Sequence, residues 1–478
     1  MDERLSADHR ARWVESYVDG LDLSALAEAY RGVGSAAHRA DLLLKIVLLE
    51  VLQGRRSPAQ WARDVGENIP LLWVGRGIQP SRTAWYNFRD RLGKVIQQLH
   101  AGMVQQGIDE GLLHPQEGVQ DGTTTRACAS RHRTINREVL QRRRQELEAA
   151  IAQDQAEKSP ATVPRWMAKS ADGRQEQSHR YRKAQAMLEK RLAENARRPK
   201  DKRQDESKVT ISTSDPEAPM GRDKEKTFCP LYTSQFIVDA ESRVILSFEV
   251  FAQATDAGTL PAMLDQTAQV IGGRLEALTA DSAYATLLDL QECQMRGVEL
   301  FAPVQENDFS HKKRAGRSEQ RIKRERFTWL PEEKTYLCPQ GHRLEYQGKE
   351  SKRRRADQRV IEYRYHCPSA HCRDCPLRAR CVRNPDKGRT IKRLEGQELF
   401  DAHCAKMKSA EGQAKRKRRG EVIERSFADA KQHRNLRRLH GRGLSRARAE
   451  VGLVVMAQNA LTLTRLRATR ATVEKDSS

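Results

Sequence analysis

Between residues 229 and 305 the hydrophobic period switches from that of a strand to that of a helix and back, and few folds accommodate that alternation. Ser234-Gln-Phe-Ile-Val-Asp239 and Arg243 to Phe251 read as two strands joined by Ala240-Glu-Ser, a hairpin signature. Thr259 to Val270 predicts a helix, Leu275 to Ala280 a strand ending at Asp281, Thr286 to Arg296 a helix and Val298 to Val304 a strand. With Val119-Gln-Asp121 counted as the first strand, the order is strand, strand, strand, helix, strand, helix, strand. The expected fold class is therefore an α/β core, a mixed sheet flanked by helices, preceded by an all-α N-terminal domain. Asp121 then lies on the first strand and Asp281 just past the fourth, on two adjacent central strands.

Around this core the composition shifts. Residues 1–115 read as a helical N-terminal DNA-binding domain. Asp41 to Leu52 is a buried helix closed by Gly54, Ser57-Pro58 starts a second, and Ser81 opens another carrying Arg82, Arg89 and Arg91. That layout suits a helix-turn-helix reader of DNA, and equally a helical bundle whose arginines face water. Residues 116–129 supply the first core strand. Residues 130–228 read as a basic helical insertion in which Arg137 to Glu157 and residues 179 to 203 form an antiparallel hairpin broken at Ser159-Pro160. Such a hairpin clamps DNA or serves as a solvated spacer. Residues 306–419 are a Cys-rich basic insertion, residues 420–468 hold the C-terminal core helices, and residues 469–478 are expected to be a disordered tail.

Lys and Arg number 86 against 64 Asp and Glu, a formal charge of +22, so phosphate backbones attract this chain without regard to sequence. Double-stranded DNA is the expected partner. No apolar run approaches the roughly 18 residues that span a bilayer, and the N-terminus lacks a signal-peptide pattern. A soluble, cytoplasmic protein with no membrane partner is expected.

Three carboxylates stand at telling places: Asp121 in Gly118-Val-Gln-Asp121-Gly-Thr-Thr, Asp281 at the end of an apolar run, and Glu424 in the helical pattern Val422-Ile-Glu424-Arg-Ser-Phe427-Ala-Asp-Ala-Lys431. Phosphodiester cleavage needs an activated water or 3′-hydroxyl and relief of charge on the leaving oxygen, which two Mg²⁺ or Mn²⁺ ions supply. Hard oxygen donors suit those ions. Asp121 would bridge both, Asp281 and Glu424 would each complete one site, and without metal the three would repel one another. Taken singly, each has a plainer reading: Asp281 as a helix cap, Asp121 as a turn residue before Gly122, and Glu424 as part of a solvated stripe, with Glu421 one turn earlier competing for its role.

These motifs resemble those of DDE-type transposases of bacterial insertion sequences, whose helical N-terminal domain precedes a ribonuclease H-like core. The matching pieces are Val119-Gln-Asp121-Gly-Thr; Ser212-Thr-Ser-Asp-Pro216-Glu-Ala; Tyr232 with Gln235 and Asp239; Ala280-Asp281-Ser-Ala-Tyr284; Ile423-Glu424-Arg-Ser-Phe427 with Lys431; and Arg442-Gly443-Leu444. The resemblance implies that Asp121, Asp281 and Glu424 bind metal and catalyse DNA cleavage and strand transfer at the element's terminal inverted repeats. It makes Lys431 a DNA-phosphate contact and implies a homodimer in a synaptic complex at the bacterial nucleoid; Arg425, Arg434, Arg82, Arg89 and Arg442 are the further candidate DNA contacts. Relatives often carry an arginine four residues before the glutamate; here that position is Gly420, and the run Lys415-Arg-Lys-Arg-Arg419 is the candidate substitute. Position 283 is alanine where glycine is frequent. An inactive or domesticated DNA-binding regulator of the same fold, or a nuclease without strand transfer, is the alternative.

Nine cysteines in 478 residues form no disulfide framework, and five cluster late in the chain. Cys338-Pro-Gln-Gly-His342, Cys367, Cys372-Arg-Asp-Cys375 and Cys381 offer enough thiols for one tetrahedral Zn²⁺. Cys338, Cys372, Cys375 and Cys381 are the expected ligands, with Cys367 and His342 in reserve; buried, inert thiols are the alternative. Cys128, Cys229, Cys293 and Cys404 are expected to be core residues. Lys352-Arg-Arg-Arg355 suggests that this insertion touches DNA.

Overall fold

Among its described residues the N-terminal segment forms the α-helices α1 (Arg10–Asp19), α2 (Ser24–Glu28), α3 (Ala40–Leu52), α4 (Pro58–Asp64), α5 (Ile69–Val74) and α6 (Arg82–Asp109). Every residue of α3 from Leu42 to Leu52 is buried, as its apolar run requires. Pro58 opens α4 at a position where its missing N–H costs nothing, and Ser81 caps α6 by accepting from the Ala84 amide. Trp61 and Trp85 meet edge to face at 6.0 Å and lock α4 to α6. The computed structural model describes residues 2–30, 38–198, 200, 203–304, 322–353, 359–382 and 387–476. Its contacts divide the chain into two units, Met1–Ala280 with Gly297–Glu299 and Lys417–Ser478, and Asp281–Arg296 with Leu300–Arg416.

In the first unit β1 (Glu117–Arg126) is followed by the two-residue strand β2 (Thr134–Ile135), then by α7 (Arg137–Gln155) and α8 (Ala171–Ala196), and then by β3 (Ile211–Ser212), which pairs antiparallel with β2. The helical hairpin has its own core, in which Leu140, Leu147, Tyr181, Ala184 and Leu188 are buried. Strands β4 (Met220–Arg222), β5 (Phe228–Asp239) and β6 (Ile245–Phe251), helix α9 (Leu260–Ile271) and strand β7 (Ala277–Thr279) follow. β5 pairs antiparallel with β1 from Gly118↔Asp239 to Arg126↔Leu231, and antiparallel with β6. β7 runs parallel to β1, with Val119 opposite Thr279. After α10 (Leu287–Met295), β8 (Glu299–Phe301) joins beside β7 through the Glu299 amide, which donates to the Glu276 carbonyl. The sheet path is β4-β5-β1-β7-β8, with β6 also on β5. Fold class is therefore α/β with a mixed sheet. The strands β7 and β8 keep three residues each, shorter than the runs 275–280 and 298–304, because pairing stops where the chain turns into its loops.

The second unit contains α10, the hairpin β9 (Thr328–Leu330) and β10 (Thr335–Leu337), and a three-stranded sheet of β11 (Glu345–Arg353), β12 (Arg359–His366) and β13 (Thr390–Leu394). Short helices α11 (Ser369–Arg373) and α12 (Arg378–Cys381) lie between β12 and β13, and α13 (Gln397–Lys408) follows. Its core gathers Phe327, Tyr336, Tyr365, Cys367 and Ile391. The buried Arg393 guanidinium stands 3.9 Å from the Trp329 ring centroid and donates to the Tyr336 hydroxyl at 3.0 Å. Arg354 and Arg355 of the basic run fall outside the described residues.

Helix α14 (Ala410–Ala428) starts earlier than the pattern at Glu421 suggests. The Ser409 hydroxyl accepts from the Gly412 amide at its start, and Gly420 is tolerated inside it at about 1 kcal/mol. A π-helical turn, Asp429–His433, leads on to α15 (Leu444–Asp476). That helix passes beyond Leu466 and through residues 469–476, where a disordered tail is expected; Arg470 supports it by donating to the Glu110 carbonyl and to Glu474. At Gly452 a Cβ would stand 2.3 Å from Ile96 and 2.7 Å from Phe248, so glycine lets α15 pass close to α6 and β6. Asn459 of α15 bonds both the amide and the carbonyl of Ile245, each at 2.8 Å.

One buried ion pair fastens the two ends of the chain. Arg56 Nη1 donates to Glu450 Oε2 at 2.9 Å, with both side chains essentially inaccessible. The same guanidinium donates to the Asn435 and Arg438 carbonyls, and Glu450 accepts from the His440 and Gly441 amides. Glu450→Gln leaves the Arg56 charge buried and uncompensated. It should cost about 3–5 kcal/mol, read as a lowered midpoint in denaturant unfolding; an unchanged midpoint would refute the role given to this pair.

Candidate active site

β1 carries Asp121 at a half-buried position directly opposite Phe236 of β5. Asp121 Oδ1 accepts from the Gly122 amide at 2.7 Å. Glycine is required at 122: a Cβ there would fall 2.0 Å from Asp256 Oδ1 and 2.2 Å from Gln235 Nε2. Those two side chains are hydrogen-bonded at 2.6 Å, and Gln235 accepts from Gln120 at 3.4 Å. Asp256 thus brings a second carboxylate beside the Asp121 segment. The buried hydroxyls of Thr123, Thr124, Thr125 and Ser234 have no hydrogen-bond partner among the described residues, which makes this stretch of β1 and β5 a polar wall inside the fold.

Four contacts lay the first-unit part of α14 along that wall. Phe427 stacks on Phe236, the residue opposite Asp121, with ring centroids 5.0 Å apart. Arg418 donates to the Ala240 carbonyl at 3.0 Å, and Arg243 donates to the Glu421 carbonyl at 2.5 Å. Arg419 Nη2 donates to Asp121 Oδ2 at 2.7 Å. The basic run before Glu424 therefore does deliver a guanidinium, from position 419 in place of the glycine at 420. Glu424 is exposed, one turn before the Phe427 anchor.

Lys431, in the π-helical turn, donates to the Thr124 carbonyl at 3.3 Å. Burial lowers its pKa to about 8, and the nearby cations Lys224 and Arg437 push in the same direction. Asp281 belongs to the second unit, one residue beyond Ala280 and two beyond Thr279 of β7. Its Oδ1 accepts from the Ala283 amide at 2.7 Å, the capping geometry of its plainer reading.

The remaining candidates divide by exposure. Arg82, Arg425 and Arg442 are exposed. Arg434 is 6 % exposed, holds both oxygens of Asp429 and donates to the Leu52 carbonyl. Arg89 is 3 % exposed and pairs with Asp90 at 2.9 Å. With donors committed inside the protein, Arg434 and Arg89 serve the fold, which corrects the expectation of a DNA contact at both. Other pieces of the motif set meet in a buried node: Tyr232 donates to Asp215 at 2.8 Å, the Gly443 amide donates to the same oxygen, and the Leu444 amide donates to Glu217.

In the second unit Cys338, Cys367, Cys372, Cys375 and Cys381 line one small cavity together with His342 and His371, whose rings stack 4.5 Å apart. Cys338 Sγ accepts from the Gln340 and His342 amides, each at 3.4 Å. Burial pushes Cys367 up to about 12, with the neighbouring Cys372 adding to the effect; a bound cation reverses that balance. Among the described residues, no group of three or more His, Cys, Asp or Glu side chains is already arranged to hold a metal ion. Soft thiolates suit Zn²⁺ and the carboxylates suit Mg²⁺, so the donor chemistry of each set fits its ion.

Residues 337–464 match the family model of a transposase DDE domain, and residues 1–91 match that of a transposase domain, DUF772. The chain thus carries transposase domains toward both ends, consistent with a DDE-type insertion-sequence transposase, a class of nuclease that acts on DNA. The first match includes Glu424, Lys431 and the five clustered cysteines; Asp121 and Asp281 precede it. No curated protein and no solved structure matches the chain. No helix among the described residues is long and apolar enough to cross a membrane.

The Lys431 environment predicts a pH effect. Its folded pKa of about 8 lies below the ordinary 10.5, so the fold is penalised below about pH 8 and relieved as pH rises from there toward 10.5. Lys431→Met should therefore raise the melting temperature relative to the parent at pH 7, and that advantage should shrink steadily as pH rises from 8 toward 10.5. An advantage independent of pH would assign it to packing instead.

Proposed function

We propose that this protein is the transposase of a bacterial insertion sequence, binding its terminal inverted repeats as a homodimer and cutting and joining DNA at a metal site made by Asp121, Asp281 and Glu424. The observation that carries this reading is the docking of α14 on β1: Phe427 on Phe236 and Arg419 on Asp121 hold the Glu424 helix against the strand of the first aspartate. The strand sequence β6-β5-β1-β7-β8, with β7 parallel to β1, supports a ribonuclease H-like core in which Asp281 follows two residues after the end of β7. When bound, two Mg²⁺ or Mn²⁺ ions supply activation of the attacking oxygen and relief of charge on the leaving one. The chain's own part is to position and to neutralise. Asp121 offers hard oxygens, Arg419 balances its charge, and Lys431 contacts a DNA phosphate beside Thr124, with Arg425, Arg442 and Arg82 as further exposed contacts.

Asp121→Asn, Asp281→Asn and Glu424→Gln should each retain binding to a duplex bearing the element end while cleavage in Mg²⁺ falls by about 10³-fold or more. Full cleavage by any one of them removes that residue from the site, and end binding without cutting by the parent protein would make it an inactive regulator.

We further propose one structural Zn²⁺ in the second unit, held by Cys338, Cys372, Cys375 and Cys381, with Cys367 and His342 on the same cavity. The amide donors to Cys338 and the convergence of the thiols support it. Protein purified under reducing conditions should contain about one zinc per chain, and Cys372→Ser should lose it. Metal analysis that finds no zinc would end this proposal.

A further inference from the structure

Beside the end of β1 opens a cleft of about 1040 Å³. Its walls are the loop from Cys128 to Ile135, the α7–α8 hairpin, Thr213–Ser214, and the segment carrying Arg438 and Arg442. Arg133, Arg143, Arg165, Arg180, Arg438 and Arg442 line it, and no Asp or Glu does. Arg180 has the exposed Glu176 at 4.0 Å. For the other five no ion pair with a carboxylate is formed among the described residues; Arg442 donates instead to the Cys128 carbonyl at 3.3 Å, and Arg143 lies over Trp166, 5.0 Å from its ring centroid. Trp166 in turn stacks on Tyr181 at 6.1 Å, which fixes the wall that presents Arg143.

Converging guanidiniums without counter-charge repel one another unless a polyanion is their partner. Their planar forks match phosphate oxygens in pairs. A cleft of about 1040 Å³ is far larger than a single phosphate, and its arginines come from five separate stretches of chain, as contacts to a backbone would need. It starts at Cys128, two residues past β1. From Asp121 to Arg126 the strand extends about 17 Å, the length of about five base pairs.

We propose that this cleft is a duplex-DNA groove that grips backbone phosphates about five base pairs from the scissile bond. The inference rests on the transposase reading and assigns to the hairpin the clamping of DNA rather than a spacer role. The contacts are to phosphate, so the grip is independent of base sequence.

The test compares the full-length parent with Arg133→Gln/Arg165→Gln/Arg438→Gln, all exposed positions, and with a charge-matched control, Arg142→Gln/Arg182→Gln/Lys190→Gln, exposed on α7 and α8 but outside the cleft. Binding to fluorescent 40-base-pair duplexes, one of arbitrary sequence and one bearing the element end, is followed by anisotropy in EDTA over a salt series. The cleft variant should lose at least tenfold in affinity on both duplexes. Its slope of log affinity against log salt should shrink by about 2.7, three phosphate contacts at about 0.9 each, while the control keeps parental values. Equal losses in cleft variant and control, or none in the cleft variant, would overturn the groove and leave the transposase reading intact. Failure of the parent itself to bind either duplex would overturn that reading and the groove with it.

Discussion

Everything around the candidate active site depends on the buried pair of Arg56 and Glu450. Two opposite charges taken out of water depend on further hydrogen bonds to offset the loss of solvation. Here the guanidinium reaches two backbone carbonyls and the carboxylate two backbone amides, all in residues 435–441. The segment between α14 and α15 is thereby shaped by a residue of the N-terminal helical domain. Arg434 repeats the pattern through the Leu52 carbonyl, and Gly54 permits it, since a Cβ there would come 2.9 Å from the His433 carbonyl oxygen. Through the π-helical turn this fastening governs where Lys431 meets β1, so the N-terminal helices act on the core as a brace.

The second buried node works on the same principle. Asp215 and Glu217, just after the helical hairpin, hold the amides of Gly443 and Leu444, and Tyr232 of β5 completes the set. Burial raises the Asp215 pKa, against the lowering effect of its hydrogen bonds. Motif residues that look catalytic by their polarity thus serve to join the hairpin's exit, the central strand and the start of α15.

Much of this was legible in the sequence because period and turn chemistry act locally. The β5–β6 hairpin follows from two alternating runs about Ala240-Glu-Ser, and α9 from its apolar spacing. What was illegible depends on tertiary contact. Asp256 sits in a loop after β6, with no periodicity to mark it, and becomes part of the Asp121 surroundings only through Gln235 and the bare Cα of Gly122. The charge on Arg434 and Arg89 suggested a wet surface, and burial with Asp429 and Asp90 reversed it. Arg419 could be named as one of five basic residues, but only the helical phase set by Phe427 on Phe236 singles it out. The helix through residues 469–476 escaped because its support comes from Glu110, far away in the chain.

The two-residue ladder of β2 and β3 has a consequence of its own. Thr134 stands opposite Ser212 and Ile135 opposite Ile211, so the long segment between them departs and returns at one short ladder, and from α8 Arg191 and Lys183 tie it again to residues 216–218. The entropy of closing a loop depends on how its ends are held and only weakly on its length, and this segment carries its own apolar core. A change in the length of its helices is therefore absorbed within the segment and leaves the register of β1 against β5 undisturbed.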